Sequence, residues 1–264
     1  MTYSVNCSTL FLDVPLLRRP AEAKAAGFDH IEFWWPFTSP DPPSVEIDTF
    51  VAAVQDADVN LTALNLFAGD HDAGERGVLS DRSRIPEFRD SVAVAAAIGE
   101  RLGCRLFNAL YGNVGEASRG EHEETAIQNT VHAAKALATV RGTVLLEALS
   151  GAPAYPLKLS SDVFSLIEKA KSTSGSTNVK ILADFYHLAR NGDHIETLIQ
   201  THAPAFGHVQ IADAPGRGAP GSGSLPVSDW IHLTKSTGYN GMFALEYFSN
   251  NENPFGWLQG SLHS

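Results

Sequence analysis

Eight short apolar runs recur along this chain, and each of the first seven is followed by a segment with helical spacing. The runs are Tyr3–Leu10, His30–Trp35, Leu61–Phe67, Arg105–Leu110, Thr143–Leu149, Val179–Phe185, Gly207–Ala212 and Met242–Tyr247. Helical spacing covers Val14–Gly27, Ser44–Ala57, Ile85–Gly103, Gly120–Val140, Ser161–Ser172, Asp193–His202 and Val227–Thr237. Several runs are apolar almost without interruption. Such strands are covered on both faces, as in a parallel sheet whose crossover helices pack against it. Eight units in 264 residues predict an α/β fold, a (β/α)₈ TIM barrel, in a chain close to the typical length of about 250. No linker divides it, so residues 1–264 read as one domain with 250–264 as a polar and aromatic tail. The rival, an open doubly wound sheet, would carry a Gly-rich phosphate loop after the first strand; CSTLFLDVP is not one.

Charge narrows the function. The formal net charge is −11 and the pI about 5.3, which argues against a protein that tracks a phosphate backbone with Lys and Arg. Cys7 and Cys104 do not make a disulfide framework. No apolar run approaches the roughly 18 residues of a membrane span, and MTYSVNCSTLF has no secretory pattern. The expectation is a cytoplasmic protein with no nucleic-acid or membrane partner.

In a parallel barrel, chemistry gathers at the carboxyl ends of the strands. Strands five to eight end in Glu147, Asp184, Gln210 and Glu246. Each alone reads equally well as a polar residue at a loop. Four in register, inside otherwise apolar segments, are harder to dismiss, because an unpaired buried carboxylate is costly. The set is all oxygen and suits a hard or borderline divalent ion such as Mg²⁺ or Mn²⁺. His187 follows in DFYH and is expected at the mouth as a ligand or substrate contact. His208 shares a strand face with Gln210 and reads either as a satisfied core residue or as a mouth residue.

The seventh strand runs into GHVQIADAPGRGAPGSG, a Gly- and Pro-rich loop in which backbone can approach a ligand closely. It carries Arg217, either solvated or binding an anionic or polyhydroxyl substrate. Glu32, Trp34 and Trp35 read as barrel wall, with Glu32 a candidate supporting group. The loop AGDHDAGERGVL is either a lid carrying Asp70, Glu75 and Arg76 or a solvated loop.

NLFAGDHDAGERG, DFYHLARNGD, GHVQIADAPGRGAPGSG and GYNGMFALEYF together resemble the hydroxypyruvate isomerase family. That family is one of the xylose-isomerase-like barrels, which also include ketose 3-epimerases and metal-dependent abasic-site endonucleases. The resemblance runs along nearly the whole chain. It implies a divalent metal on Glu147, Asp184, Gln210 and Glu246, with Glu147 and Glu246 shuttling a proton. Two departures fall at the expected mouth. Ala148 and Ser150 stand where the family has Pro and Asn, and Ser224 stands where it has an acid.

The expected reaction is isomerisation of a small hydroxy-carbonyl acid, hydroxypyruvate to tartronate semialdehyde, through an enediolate. Arg217 or Arg76 would hold the substrate carboxylate. A ketose 3-epimerase, or a four-carbon 2-oxo acid isomerase, would use the same site on a longer keto acid or sugar. An abasic-site endonuclease needs more His ligands and a basic face. A non-catalytic binding barrel also stays open. The tail, with Phe255 and Trp257, would cover either a neighbouring subunit in a homo-oligomer or its own barrel.

Overall fold

The computed structural model describes residues 3–114, 119–251 and 253–258. Its eight parallel strands close into a barrel in the order β1 to β8, with β8 paired to β1. They are β1 (Tyr3–Asn6), β2 (His30–Phe33), β3 (Asn60–Asn65), β4 (Leu106–Asn108), β5 (Thr143–Glu147), β6 (Val179–Asp184), β7 (Phe206–Ile211) and β8 (Phe243–Leu245). The helices are α1 (Arg19–Ala25), α2 (Ser44–Asp56), α3 (Ile85–Leu102), α4 (Arg119–Ala138), α5 (Ser160–Ser174), α6 (Phe185–Arg190), α7 (Ile195–His202) and α8 (Val227–Ser236). No helix among the described residues is long and apolar enough to cross a membrane.

Each helix lays an apolar stripe on the barrel. In α3 the buried residues Phe88, Val92, Ala95 and Ile98 recur at helical spacing. The first helix starts later than its spacing suggests. Pro20 lies in the first turn of α1, where its missing N–H costs no hydrogen bond, and Leu16–Arg18 form a separate 3₁₀ turn. β1 is shorter than Tyr3–Leu10 because Asn6 turns the chain back on itself. Its side-chain oxygen accepts from Ser8 N at 2.8 Å and its carbonyl from Leu10 N at 3.0 Å.

The described part of the tail covers its own barrel. Phe255 packs on Phe28 at 4.8 Å between ring centroids, and Trp257 meets Tyr3 edge-on. Tyr247 donates its hydroxyl to the Pro254 carbonyl at 2.8 Å. Residues 252 and 259–264 of the tail lie outside the described residues.

Candidate active site

Register brings the four strand-end residues together. Glu147 and Asp184 are the last residues of β5 and β6, Asp184 is paired with Gln210, and Glu246 directly follows β8. None is more than 4% exposed. Glu147, His187, Arg217 and Glu246 line a cavity of about 540 Å³, whereas Asp184 and Gln210 are buried outside its lining. A larger cleft of about 770 Å³ lies between the loop after β1 and the tail, but Asp13 is its lone ionisable residue among the described residues. The chemistry belongs to the smaller cavity.

Arg217 enters between two of the acids. Its Nη2 donates to Asp184 Oδ2 at 3.0 Å and Glu246 Oε1 at 2.7 Å. Its guanidinium therefore partly balances the cluster. It holds a positive-φ backbone, 55°, inside a loop built around Asp213. The Asp213 carboxylate is fully buried and accepts from the backbone N–H groups of Ala214, Gly221, Gly223 and Leu225 at 2.7 to 2.9 Å. A side chain at Gly223 would collide with the Ala214 carbonyl, so glycine is required there. Ser224 lies on the exposed side of this loop and does not line the cavity, contrary to the expected placement of that departure. Ser150 does line it.

Burial and mutual repulsion dominate the electrostatics. Burial pushes Glu246 up to about 8, opposed by Arg217 and reinforced by the charges of Glu32 and Asp184. Burial also raises Glu147, with Glu246 and Asp184 adding to it and the Asn108 amide opposing it. Burial pushes His187 down to about 4, so its ring is neutral near pH 7.

Hydrogen bonds define which nitrogen of His187 faces the site. Nδ1 lies 3.1 Å from the backbone N–H of Ser150, which can only donate. Nδ1 must therefore accept, and the neutral ring carries its proton on Nε2, the nitrogen 3.7 Å from Asp184 Oδ2. Glu147, Asp184 and His187 offer ligand atoms within 4.8 Å of one another. In this tautomer the His187 Nε2–H is a donor beside the Asp184 carboxylate.

Glu32 organises the remaining oxygen. It is 1% exposed and accepts from Asn6 Nδ2 at 2.9 Å, Gln210 Nε2 at 2.8 Å and His208 Nε2 at 2.7 Å. A carboxylate facing the Gln210 amide must meet its NH₂ group. Gln210 Oε1 is consequently turned the other way, buried and without a partner among the described residues. His208 is held on Glu32, 2% or less exposed with it, and does not line the cavity.

The loop after β3 is braced from within. Glu75 Oε2 accepts from Asp70 N at 2.6 Å and Oε1 pairs with Arg84 at 2.7 Å. Gly77, at φ 117°, packs its α-carbon against the Leu110 carbonyl where a side chain has no room. Glu75 thus shapes the loop, and the cavity receives His71 and Arg76 from it. Arg76 Nη1 donates to the carbonyls of His71 and Glu75. His71 stacks on Trp34 at 5.1 Å, and Trp34 Nε1 donates to Glu246 Oε1 at 3.2 Å. Sequence reasoning passed over His71, Tyr186 and Arg190, which all line the cavity. The only available signal was position, in a strand-end loop or just after DFYH.

Residues 20–263 match the family model described as xylose isomerase-like TIM barrel. The chain is 42% identical to a protein of Streptomyces coelicolor named "Putative hydroxypyruvate isomerase", over 97% of this chain and 95% of that one. It is 30% identical to hydroxypyruvate isomerase of Escherichia coli, over 94% and 93% of the two chains. The crystal structure of an AP endonuclease, family 2, from Brucella melitensis superposes with a TM-score of 0.88 at 31% identity, covering 98% of each chain.

Proposed function

The chain belongs to the xylose isomerase-like TIM barrel family, and on that premise we propose that it is a metal-dependent isomerase of small keto acids, converting hydroxypyruvate to tartronate semialdehyde. One observation carries the reading: two buried glutamates, Glu147 and Glu246, line one cavity with His187 and Arg217. Three carboxylates against one guanidinium, beside an orphaned Gln210 oxygen, fit a hard divalent cation held by Glu147, Asp184, Gln210 and Glu246. When bound, such an ion supplies electrophilic polarisation of the substrate carbonyl and acidifies the neighbouring C–H.

The chain's own residues carry the proton. One glutamate removes a proton from the carbon α to the carbonyl, and the other protonates the adjacent carbon. The electron pair of the first C–H bond becomes the second, and the hydroxyl proton passes to the former carbonyl oxygen, so no external oxidant or reductant is needed. A carboxylate that also touches the cation is a weaker base, and the acidified C–H offsets this. His187 presents Nε2–H to a substrate oxygen. Trp34, stacked on His71, donates Nε1–H to Glu246 Oε1 and helps hold that carboxylate in place.

Metal-stripped protein supplied with Mn²⁺ or Mg²⁺ should convert hydroxypyruvate in deuterated water, with deuterium entering the product by NMR. Failure there with turnover of four-carbon keto acids or C5–C6 ketoses would move the reaction to a longer substrate. Nicking of abasic-site DNA instead would overturn the isomerase reading.

Two further results are expected. The folded values of Glu147 and Glu246 lie above the ordinary 4.5. Between 4.5 and about 8 the folded chain holds protons that the unfolded chain has released, so metal-stripped protein loses stability as pH rises through that window. Added Mn²⁺ should raise Tm by several degrees, and by more at pH 8 than at pH 5, in calorimetric scans. An equal shift at both values would count against ligation by the glutamates. Second, Glu32→Gln leaves one acceptor oxygen for the three donors from Asn6, His208 and Gln210 and so loosens the orientation of Gln210. It should weaken Mn²⁺ binding by about 10- to 100-fold in titration calorimetry, the usual cost of a lost outer partner.

A further inference from the structure

Three arginines line the cavity, and two are already committed. Arg217 donates to Asp184, to Glu246 Oε1 and to the Glu246 carbonyl. Arg76 directs Nη1 at two backbone carbonyls of its own loop. The Arg190 side chain has no hydrogen bond or ion pair among the described residues.

Its position follows from the local fold. Asp184 caps α6, accepting from Tyr186 N at 2.8 Å and His187 N at 3.1 Å. Arg190 then follows His187 by three residues and Tyr186 by four, the spacings that share a helix side. All three line the cavity, with His187 buried and Arg190 exposed at its opening. One short helix, started by a strand-end acid, delivers a neutral donor at depth and an unpaired guanidinium at the rim.

Charge balance gives that guanidinium a task. The carboxylates of Glu147, Asp184 and Glu246, the Arg217 guanidinium between them and a divalent ion would together be neutral. A carboxylate entering with the substrate then needs a further positive partner, and guanidinium forms paired hydrogen bonds to a carboxylate. We propose that Arg190 captures the substrate carboxylate and selects anionic hydroxy-carbonyl acids over neutral hydroxy-carbonyl compounds. This deepens the isomerase reading and rests on it.

The test compares kcat/KM for hydroxypyruvate and for neutral dihydroxyacetone in the wild-type, Arg190→Met, Arg190→Lys and Arg76→Met holoenzymes. Arg190→Met should reduce the preference for hydroxypyruvate by about 10- to 100-fold, mainly through KM, with partial recovery in Arg190→Lys. An equal fall for both compounds, no fall, or a fall confined to Arg76→Met would overturn the assignment. Calorimetric titration with D-glycerate, which carries the carboxylate but no carbonyl to isomerise, separates this from failure of the reaction itself. Without any turnover, D-glycerate binding at least 10-fold weaker in Arg190→Met still supports the carboxylate role. Equal binding, or no binding to wild type, overturns it.

Discussion

Glu246→Gln is expected to lower kcat by about 10²- to 10⁴-fold, the range for loss of a positioned acid–base group. The substitution keeps size and shape. A Gln oxygen can still accept from Arg217 Nη2 and Trp34 Nε1, as Glu246 Oε1 does at 2.7 Å and 3.2 Å. What disappears is the capacity to carry a proton. Glu147→Gln should do the same, since its carboxylate also accepts a side-chain hydrogen bond, from Asn108 at 2.7 Å. The two variants should differ in solvent exchange. The one that retains the proton-abstracting glutamate should still wash deuterium into unreacted hydroxypyruvate, and the other should not. Normal turnover in either variant would remove that glutamate from the mechanism.

A control separates proton transfer from cation binding. Gln210 cannot exchange a proton, so Gln210→Ala should lose activity that raised Mn²⁺ restores. The glutamine variants should stay slow at any Mn²⁺ concentration. Rescue of Glu246→Gln by metal would recast that residue as a ligand alone.

Which parts of this site could be read from the sequence depended on the range of the contacts. The strands were legible because burial on both faces leaves apolar runs, and Glu147, Asp184, Gln210 and Glu246 stood out against that background. Their convergence followed from barrel closure alone. Contacts between distant segments left no local trace. Glu32 reaches Gln210 across 178 positions, and Trp34 reaches Glu246 across 212. Helix α6 was hidden for a different reason. It is six residues long, and its cap is Asp184, which also ends β6. DFYHLAR therefore reads as a strand running into a loop. In the same way the Glu of AGERG looks like lid chemistry until its carboxylate is found bracing Asp70 N and Arg84.

Asp213 is the clearest case of a residue whose importance is structural, and Asp213→Ala should show it. Four backbone N–H groups converge on its carboxylate, and alanine would leave them without an acceptor in a buried setting. Each buried unsatisfied donor costs about 1–3 kcal/mol, and with partial relaxation the total loss should be about 3–5 kcal/mol. In a chain of this size that is a fall in Tm of roughly 6–20 °C. Activity should fall further than stability implies. The same loop holds Arg217 at positive φ and ties its carbonyl to Phe248 N at 2.9 Å. A slackened loop would withdraw the guanidinium from Asp184 and Glu246 and leave two buried acids facing each other. The far-UV spectrum should be retained, because the loop lies outside the strands and helices. Asp213→Asn should recover only part of the loss, since an amide carries a single acceptor oxygen where the carboxylate has two. Native stability in Asp213→Ala would mean that the glycines and prolines set the loop without the carboxylate.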